Sequence, residues 1–209
     1  MARHTRALPA TGLAIAVAAI TGCSGPGAHS TAPADSSAGG GAQTHAAPTE
    51  SGPPGDIPDN QVYVAYRPTG GAFTRFTLKV PEGWARTVRG DTTVFTDKLN
   101  TITVTAAVTP SAPTTATVGT TVVPELRART RKFDAPKVSG TTRRAGHVVL
   151  LTYQGDSAED PVTGKVVRDA FERYAYYRAG HEVDLTLSGP VNADNVDPWR
   201  IVSDSVTWR

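Results

Sequence analysis

The sequence predicts an α+β domain built on an antiparallel sheet, carried behind an export segment and a flexible tether. Three observations predict it. Runs of β-branched and aromatic residues alternate at period two from Gln61 onward, and their connections are too short for a helical crossover, so neighbouring strands run antiparallel. Residues 122–133 and the stretch after Asp197-Pro198 instead place their apolar side chains at helical spacing. Aromatic side chains are absent before Tyr63, so the core is confined to residues 60–209, roughly 150 positions, at which length folding buries about 68–70% of the unfolded surface without help from a disulfide.

The chain starts with a basic head, Arg3, His4 and Arg6, followed by an apolar run over residues 7–20. A permanent span needs about 20 apolar residues, so this shorter run reads as the central part of a signal peptide. It closes on Ile20-Thr21-Gly22-Cys23, and Cys23 is the only cysteine. That tetrapeptide resembles a bacterial lipobox. The resemblance implies that residues 1–22 are removed and that the Cys23 sulfur takes a diacylglyceryl group, with palmitate among its acyl chains. The mature protein is then held on the extracytoplasmic face of the cell membrane. A plain secretory cut after Ala16-Val17-Ala18 is the alternative.

Residues 23–59 are rich in glycine, proline, serine and alanine, with Ile57 the only large aliphatic side chain. Such a stretch cannot bury enough apolar surface to offset its ordering entropy, and it reads as a disordered tether. Its end-to-end distance is on the order of 30–35 Å. His29 and His45 lie in it and read as solvated side chains.

Beyond residue 60 the chain has 19 basic and 15 acidic side chains, a net charge of +4. So small a surplus argues against a nucleic-acid partner and only weakly for an anionic lipid or cell-wall surface.

Along residues 60–209 the first strands are expected at 61–66 and 73–80, the second stopping at the turn Pro81-Glu82-Gly83-Trp84. There proline presets φ and glycine accepts a positive φ. Two further strands, 92–96 and 101–108, place Ile102, Val104, Ala106 and Val108 on one face. Residues 110–121 read as a polar loop and 122–133 as a helix, with Val123, Leu126, Thr130 and Phe133 on one side and Arg127, Arg131 and Lys132 on another. The next two strands are 137–144 and 147–154, the latter apolar on both faces and therefore central. Residues 166–177 fit either a helix or a strand. The aromatic content and the partner at 182–188 favour a hairpin. Asp197 as N-cap and Pro198 at the first helical position open a closing helix, and Val206 and Trp208 pack on the sheet.

The run Phe76-Thr77-Leu78-Lys79-Val80-Pro81-Glu82-Gly83-Trp84, with Val183-Asp184-Leu185-Thr186-Leu187-Ser188-Gly189-Pro190 and a terminal Ser205-Val206-Thr207-Trp208, resembles the PsbP/Mog1-like fold, including the Lpq type of actinobacterial lipoprotein. The resemblance implies a sandwich in which helices lie on both faces of the antiparallel sheet. It brings no catalytic residue with it.

No nucleophile elbow, phosphate-binding glycine loop or paired-histidine zinc motif occurs, and the folded part holds no thiol, so no cofactor or metal site is expected. Asp156, Glu159 and Asp160, and again Asn192, Asp194, Asn195 and Asp197, form acidic clusters without the order of a calcium loop. Turns and helix capping explain them. The expectation is a non-catalytic envelope module that binds another envelope protein or a lipid or glycan ligand. Two alternatives are a cell-envelope hydrolase using His147 or His181 and an accessory or solute-binding component of a transporter.

Overall fold

The computed structural model describes residues 53–160 and 163–209. The expected signal peptide at 1–22, the expected lipobox residues Ile20, Thr21 and Gly22, the expected lipidation site Cys23, and His29 and His45 lie outside the described residues.

Among the described residues ten strands form two antiparallel sheets. The short strands β1 (Tyr63–Tyr66), β2 (Phe76–Pro81) and β10 (Thr207–Trp208) form a small sheet with β2 in its middle. The other seven are β3 (Ala85–Arg89), β4 (Thr92–Asp97), β5 (Asn100–Val108), β6 (Asp134–Arg143), β7 (Gly146–Asp156), β8 (Arg168–Arg178) and β9 (His181–Pro190). They pair in the order β3-β4-β5-β9-β8-β7-β6. Gly83, at φ 84°, makes the turn after Pro81 that leads into β3.

The first face of the large sheet carries Phe95, Ile102, Val104, Val148, Tyr174, Tyr176, Val183, Leu185 and Leu187. They pack against Tyr66, Phe76, Leu78 and Val80 of the small sheet and Val202 and Val206 at the C-terminal end. Leu185, Leu187 and Val183 are wholly buried, each stabilising the fold by about 1.5–3 kcal/mol. On the second face Val149, Leu151, Tyr153 and Ala175 pack against Val118, Leu126 and Phe133. Helix α2 (Val123–Arg129) therefore covers one face and helix α3 (Val196–Asp204) the other. The α+β class, the antiparallel pairing and the placement of helices on both faces all agree with expectation.

Several boundaries differ. Residues 85–89, between the expected turn at 81–84 and the expected strand at 92–96, form the edge strand β3. All five of its residues are exposed, so no burial pattern marks it. The expected loop at 110–121 turns helical at Thr115. Thr114 and Thr117 cap it reciprocally, side chain to backbone in both directions. Within that segment, between α1 (Thr115–Thr117) and α2, residues 118–122 form a π-helical turn in which the Val123 N–H bonds to the Val118 carbonyl, five residues back. Pro124 follows and has no N–H to continue an ordinary ladder.

The helix ends at Arg129, with Thr130 extended at φ −103° and ψ 116°. Phe133 thus reaches the second face from beyond the helix, its ring 5.0 Å from that of Tyr153. Strand β7 is apolar on both faces as expected but lies next to the edge, between β6 and β8. Residues 168–178 form the strand that their aromatic content predicts. The closing helix begins two residues early: its N-cap is Asn195, and Pro198 is its third residue.

Residues 53–59 of the assigned tether lie against the domain. Ile57 is buried, and its N–H donates to Asn195 Oδ1 at 2.9 Å. The Gly55 carbonyl accepts from Asn100 Nδ2 at 2.8 Å and from Asn195 Nδ2 at 3.1 Å. The packed chain therefore begins before residue 60.

Candidate functional site

The helical segment covers only half of the second face. It lies over β6, β7 and β8 and leaves open a cleft of about 910 Å³ whose walls include Val122, Glu125, Leu126 and Arg129. The floor follows from strand alternation. With Ile102, Val104, Ala106, Val183, Leu185 and Leu187 on the buried face, Thr103, Thr105, Asp184 and Thr186 must point the other way. Register then aligns them in two rows across the strands: Thr92, Thr105 and Asp184, and Val94, Thr103, Thr186 and Arg173.

Hydroxyl groups dominate this floor. Thr92 Oγ1 and Thr105 Oγ1 share a hydrogen bond of 2.9 Å. Among the described residues the Thr103 and Thr186 hydroxyls, which also line the cleft, have no protein partner. Tyr153 and Phe171 form the far wall, their rings parallel within 2° at 4.5 Å. Burial pushes the Tyr153 phenol up to about 12, so it stays a neutral hydroxyl.

Electrostatics centre on Arg173, whose side chain is only 11% exposed. Its Nη2 meets Asp184 Oδ2 at 2.5 Å and Glu182 Oε1 at 3.7 Å. Two carboxylates therefore share one guanidinium in a partly desolvated place. Burial, then the adjacent Asp184 charge, push Glu182 up to about 7, and burial raises Asp184 as well against the pull of Arg173. The Asp184 Oδ1 is buried and accepts no hydrogen bond from the protein's ordinary donors. The Glu182–Asp184 pair therefore holds its protons to higher pH than free carboxyls do, and its charge is partly cancelled by Arg173.

The histidines considered for hydrolysis lie away from this cleft. His147 is exposed at the start of β7, across from Thr142, and a Cβ added at Gly140 would come within 2.7 Å of its ring. His181 stacks on Phe73 at 4.0 Å on the opposite face, with its Nδ1 buried and unpartnered. Neither ring makes a hydrogen bond or ion pair with a serine or carboxylate among the described residues.

The acidic clusters are dispersed. Asp156 pairs with Lys132 at 3.3 Å, Asp160 Oδ1 accepts from the Thr163 N–H and hydroxyl within its own loop, Asn195 bonds inward, and Asp197 faces Arg200 at 3.7 Å. Among the described residues no three His, Cys, Asp or Glu side chains are placed to hold a metal. Of the basic residues expected on the helix, Arg127 lies over the Phe133 ring at 5.0 Å, and Arg131, which falls beyond the helix end, lines the cleft.

Sequence reasoning missed the cleft because it followed the apolar positions of each strand. The signal was in the remaining positions: threonines at 92, 103, 105 and 186 with Asp184 are the polar half of the same alternation.

No protein-family model matches the chain, and no curated protein does. Among solved structures it is similar to the cyanobacterial PsbP (CyanoP) of a Synechocystis species, at 18% identity over 76% of this chain and 100% of that one, with a TM-score of 0.49. It is also similar to the Saccharomyces cerevisiae Ran-binding protein Mog1p, at 12% identity over 63% and 78% of the two chains, TM-score 0.44. A third is LpqN, involved in cell envelope biogenesis of Mycobacterium tuberculosis, at 15% identity over 71% and 85%, TM-score 0.37.

Proposed function

We propose that this is an extracytoplasmic lipoprotein, held to the cell membrane by a diacylglyceryl group on Cys23, whose domain binds a ligand without transforming it. The ligand class the cleft fits best is a neutral, hydroxyl-rich molecule such as a glycan. The observation that carries this is the floor: threonine hydroxyls without protein partners, beside a carboxylate already occupied by Arg173, at the base of a cleft of about 910 Å³. Charged side chains around it are nearly balanced, with Arg129, Arg131 and Arg173 against Glu125, Asp156, Glu159 and Asp184, which disfavours a strongly charged ligand. Tyr153 and Phe171 offer apolar surface for the hydrogen-bearing face of a sugar ring, and concave sites of this kind combine apolar walls with a few fixed polar groups.

A second reading, docking of another envelope protein, is favoured by β3. This edge strand is exposed along its whole length, and an open edge can accept a partner's strand.

Two experiments test the proposal. For the anchor, intact-mass measurement on protein extracted from membranes should show Cys23 as the acylated first residue, and Cys23→Ala should release the chain from the membrane fraction. An unmodified thiol sinks the anchor. For the cleft, titration of the full chain with maltose, cellobiose and chitobiose, followed by NMR, should shift Thr103 and Thr186 with at least one sugar. The variant Thr103→Val/Thr186→Val should abolish the shift. Silence from all three sugars, or binding that survives the double variant, rejects the glycan reading.

A further inference from the structure

The domain's small charge surplus is unevenly distributed. In the small sheet, Thr77 and Thr207 share a hydroxyl–hydroxyl hydrogen bond of 2.6 Å, which places the odd-numbered positions of β2 and β10 on the outer side, away from the buried Phe76, Leu78 and Val206. Arg75 and Lys79 therefore flank Thr77 on the outer surface, and Arg209 is joined to Arg75 by a backbone hydrogen bond of 2.8 Å. Arg178 lies beside Arg75 and Arg209 around a shallow hollow rimmed by Phe73 and Trp208. Arg144 and Arg200 lie beside Lys79.

Across these two neighbouring hollows the only carboxylate side chain is Asp204, and it faces Arg143 at 3.6 Å. Arg200 is met by Asp197. Arg75, Lys79, Arg144, Arg178 and Arg209 have no side-chain ion pair among the described residues. Five unneutralised cations thus share one face of a domain whose whole surplus is four charges.

We propose that this outer face of the small sheet docks on an anionic lipid surface. Charge complementarity selects the occupant. Both hollows are small, about 300 and 240 Å³, so the face offers a broad field of cations and no deep socket for a single ligand group. Cations near an anionic bilayer each strengthen binding about five-fold.

The layer order gives this docking a consequence. The small sheet and the threonine cleft lie on opposite faces of the large sheet, so a domain seated on lipid by the small sheet turns the cleft outward. The inference uses neither Cys23 nor the cleft, and it can fail while the proposed function stands.

The test is co-sedimentation of the full chain with vesicles of phosphatidylcholine alone or with about one-third phosphatidylglycerol. The double variants Arg75→Ala/Lys79→Ala and Arg86→Ala/Arg89→Ala lose equal charge, the second pair from the distant edge strand β3. All replaced side chains are exposed, and unchanged thermal melts verify folding. The gain in affinity from phosphatidylglycerol should fall about 25-fold in the first variant and little in the second, and should vanish in about 0.5 M salt as the Debye length shrinks. Equal losses in both variants, or no loss in the first, overturn the proposal.

Discussion

Asn195 Nδ2 donates to Asn100 Oδ1 at 3.0 Å, joining two buried side chains that are 95 positions apart in the sequence. Around this contact, Ile57, Gly55 and Asp56 dock through four further hydrogen bonds, including one from the Asp194 N–H to Asp56 Oδ1 at 2.9 Å. Gly189 makes room, since a Cβ there would lie 2.3 Å from Asn100 Oδ1.

Asn195→Ala strips the Ile57 N–H and the Asn100 Oδ1 of their partners at once. Each orphaned buried group costs about 1–3 kcal/mol. The variant should lose about 3 kcal/mol in urea unfolding, and Gly189→Ala should lose a comparable amount by pushing Asn100 aside. A loss under 0.5 kcal/mol for both would show that the contact is dispensable.

Stability should also fall as the pH rises through the neutral range. Glu182 is raised from 4.5 to about 7 and Asp169, whose Oδ1 is buried without a partner, from 3.8 to about 6, in both cases chiefly by burial. A carboxyl with a raised folded-state pKa binds protons more tightly in the native state. Its stabilisation is complete below the unfolded pKa and disappears as pH climbs through the folded one. Asp169→Asn should therefore be close to neutral at pH 3.5 and stabilising by on the order of 2 kcal/mol at pH 8. Glu182→Gln should flatten the slope between about pH 4.5 and 7. Chemical unfolding across that range measures both, and a wild-type curve that rises with pH there would contradict the assignment.

Arg173 should matter more as a partner than as a cation. Arg173→Leu leaves Asp184 and Glu182 without their counter-charge in a partly buried place, a change that costs about 3–5 kcal/mol for fully buried pairs. With Asp184 a quarter exposed, a loss of about 2 kcal/mol at pH 8 is expected, shrinking at pH 4 as the carboxyls protonate. A pH-independent loss would point to packing instead.

Gly155 sets how closely the helical segment lies on the sheet. A Cβ there would meet Thr130 Cγ2 at 2.3 Å, so Gly155→Ala should push residues 130–131 outward and widen the cleft mouth. Hydrogen exchange should accelerate at Thr130 and at the Asp156 N–H that bonds the Arg131 carbonyl. Unchanged protection at both would show that the clash is absorbed elsewhere.

Much of the architecture was legible because alternation is a strong signal when one strand face is buried. Ile102, Val104 and Ala106 identify their face without reference to anything else, and the aromatic run at 171–177 belongs to a strand despite fitting helical spacing. Where the signal fails, the physics differs. Strand β3 has no buried residue to reveal it. The helix start at Thr115 depends on a Thr114–Thr117 cap in which threonine replaces the usual acidic partner. Ile57, isolated in a polar stretch, gains its burial from Asn195, far along the chain. The candidate site was hidden for a related reason, since it lies on the polar members of strands whose apolar members identify the core.

The clamp on residues 55–57 also decides how the domain answers to a pull. Tension arriving from the N-terminal side meets Asn100 and Asn195, at β5 and the start of α3, before it can reach β1, which pairs with β2 and holds the large sheet through Tyr66 alone of its side chains in the core. The four hydrogen bonds there stand ahead of it, so β1 is shielded from being peeled away one bond at a time.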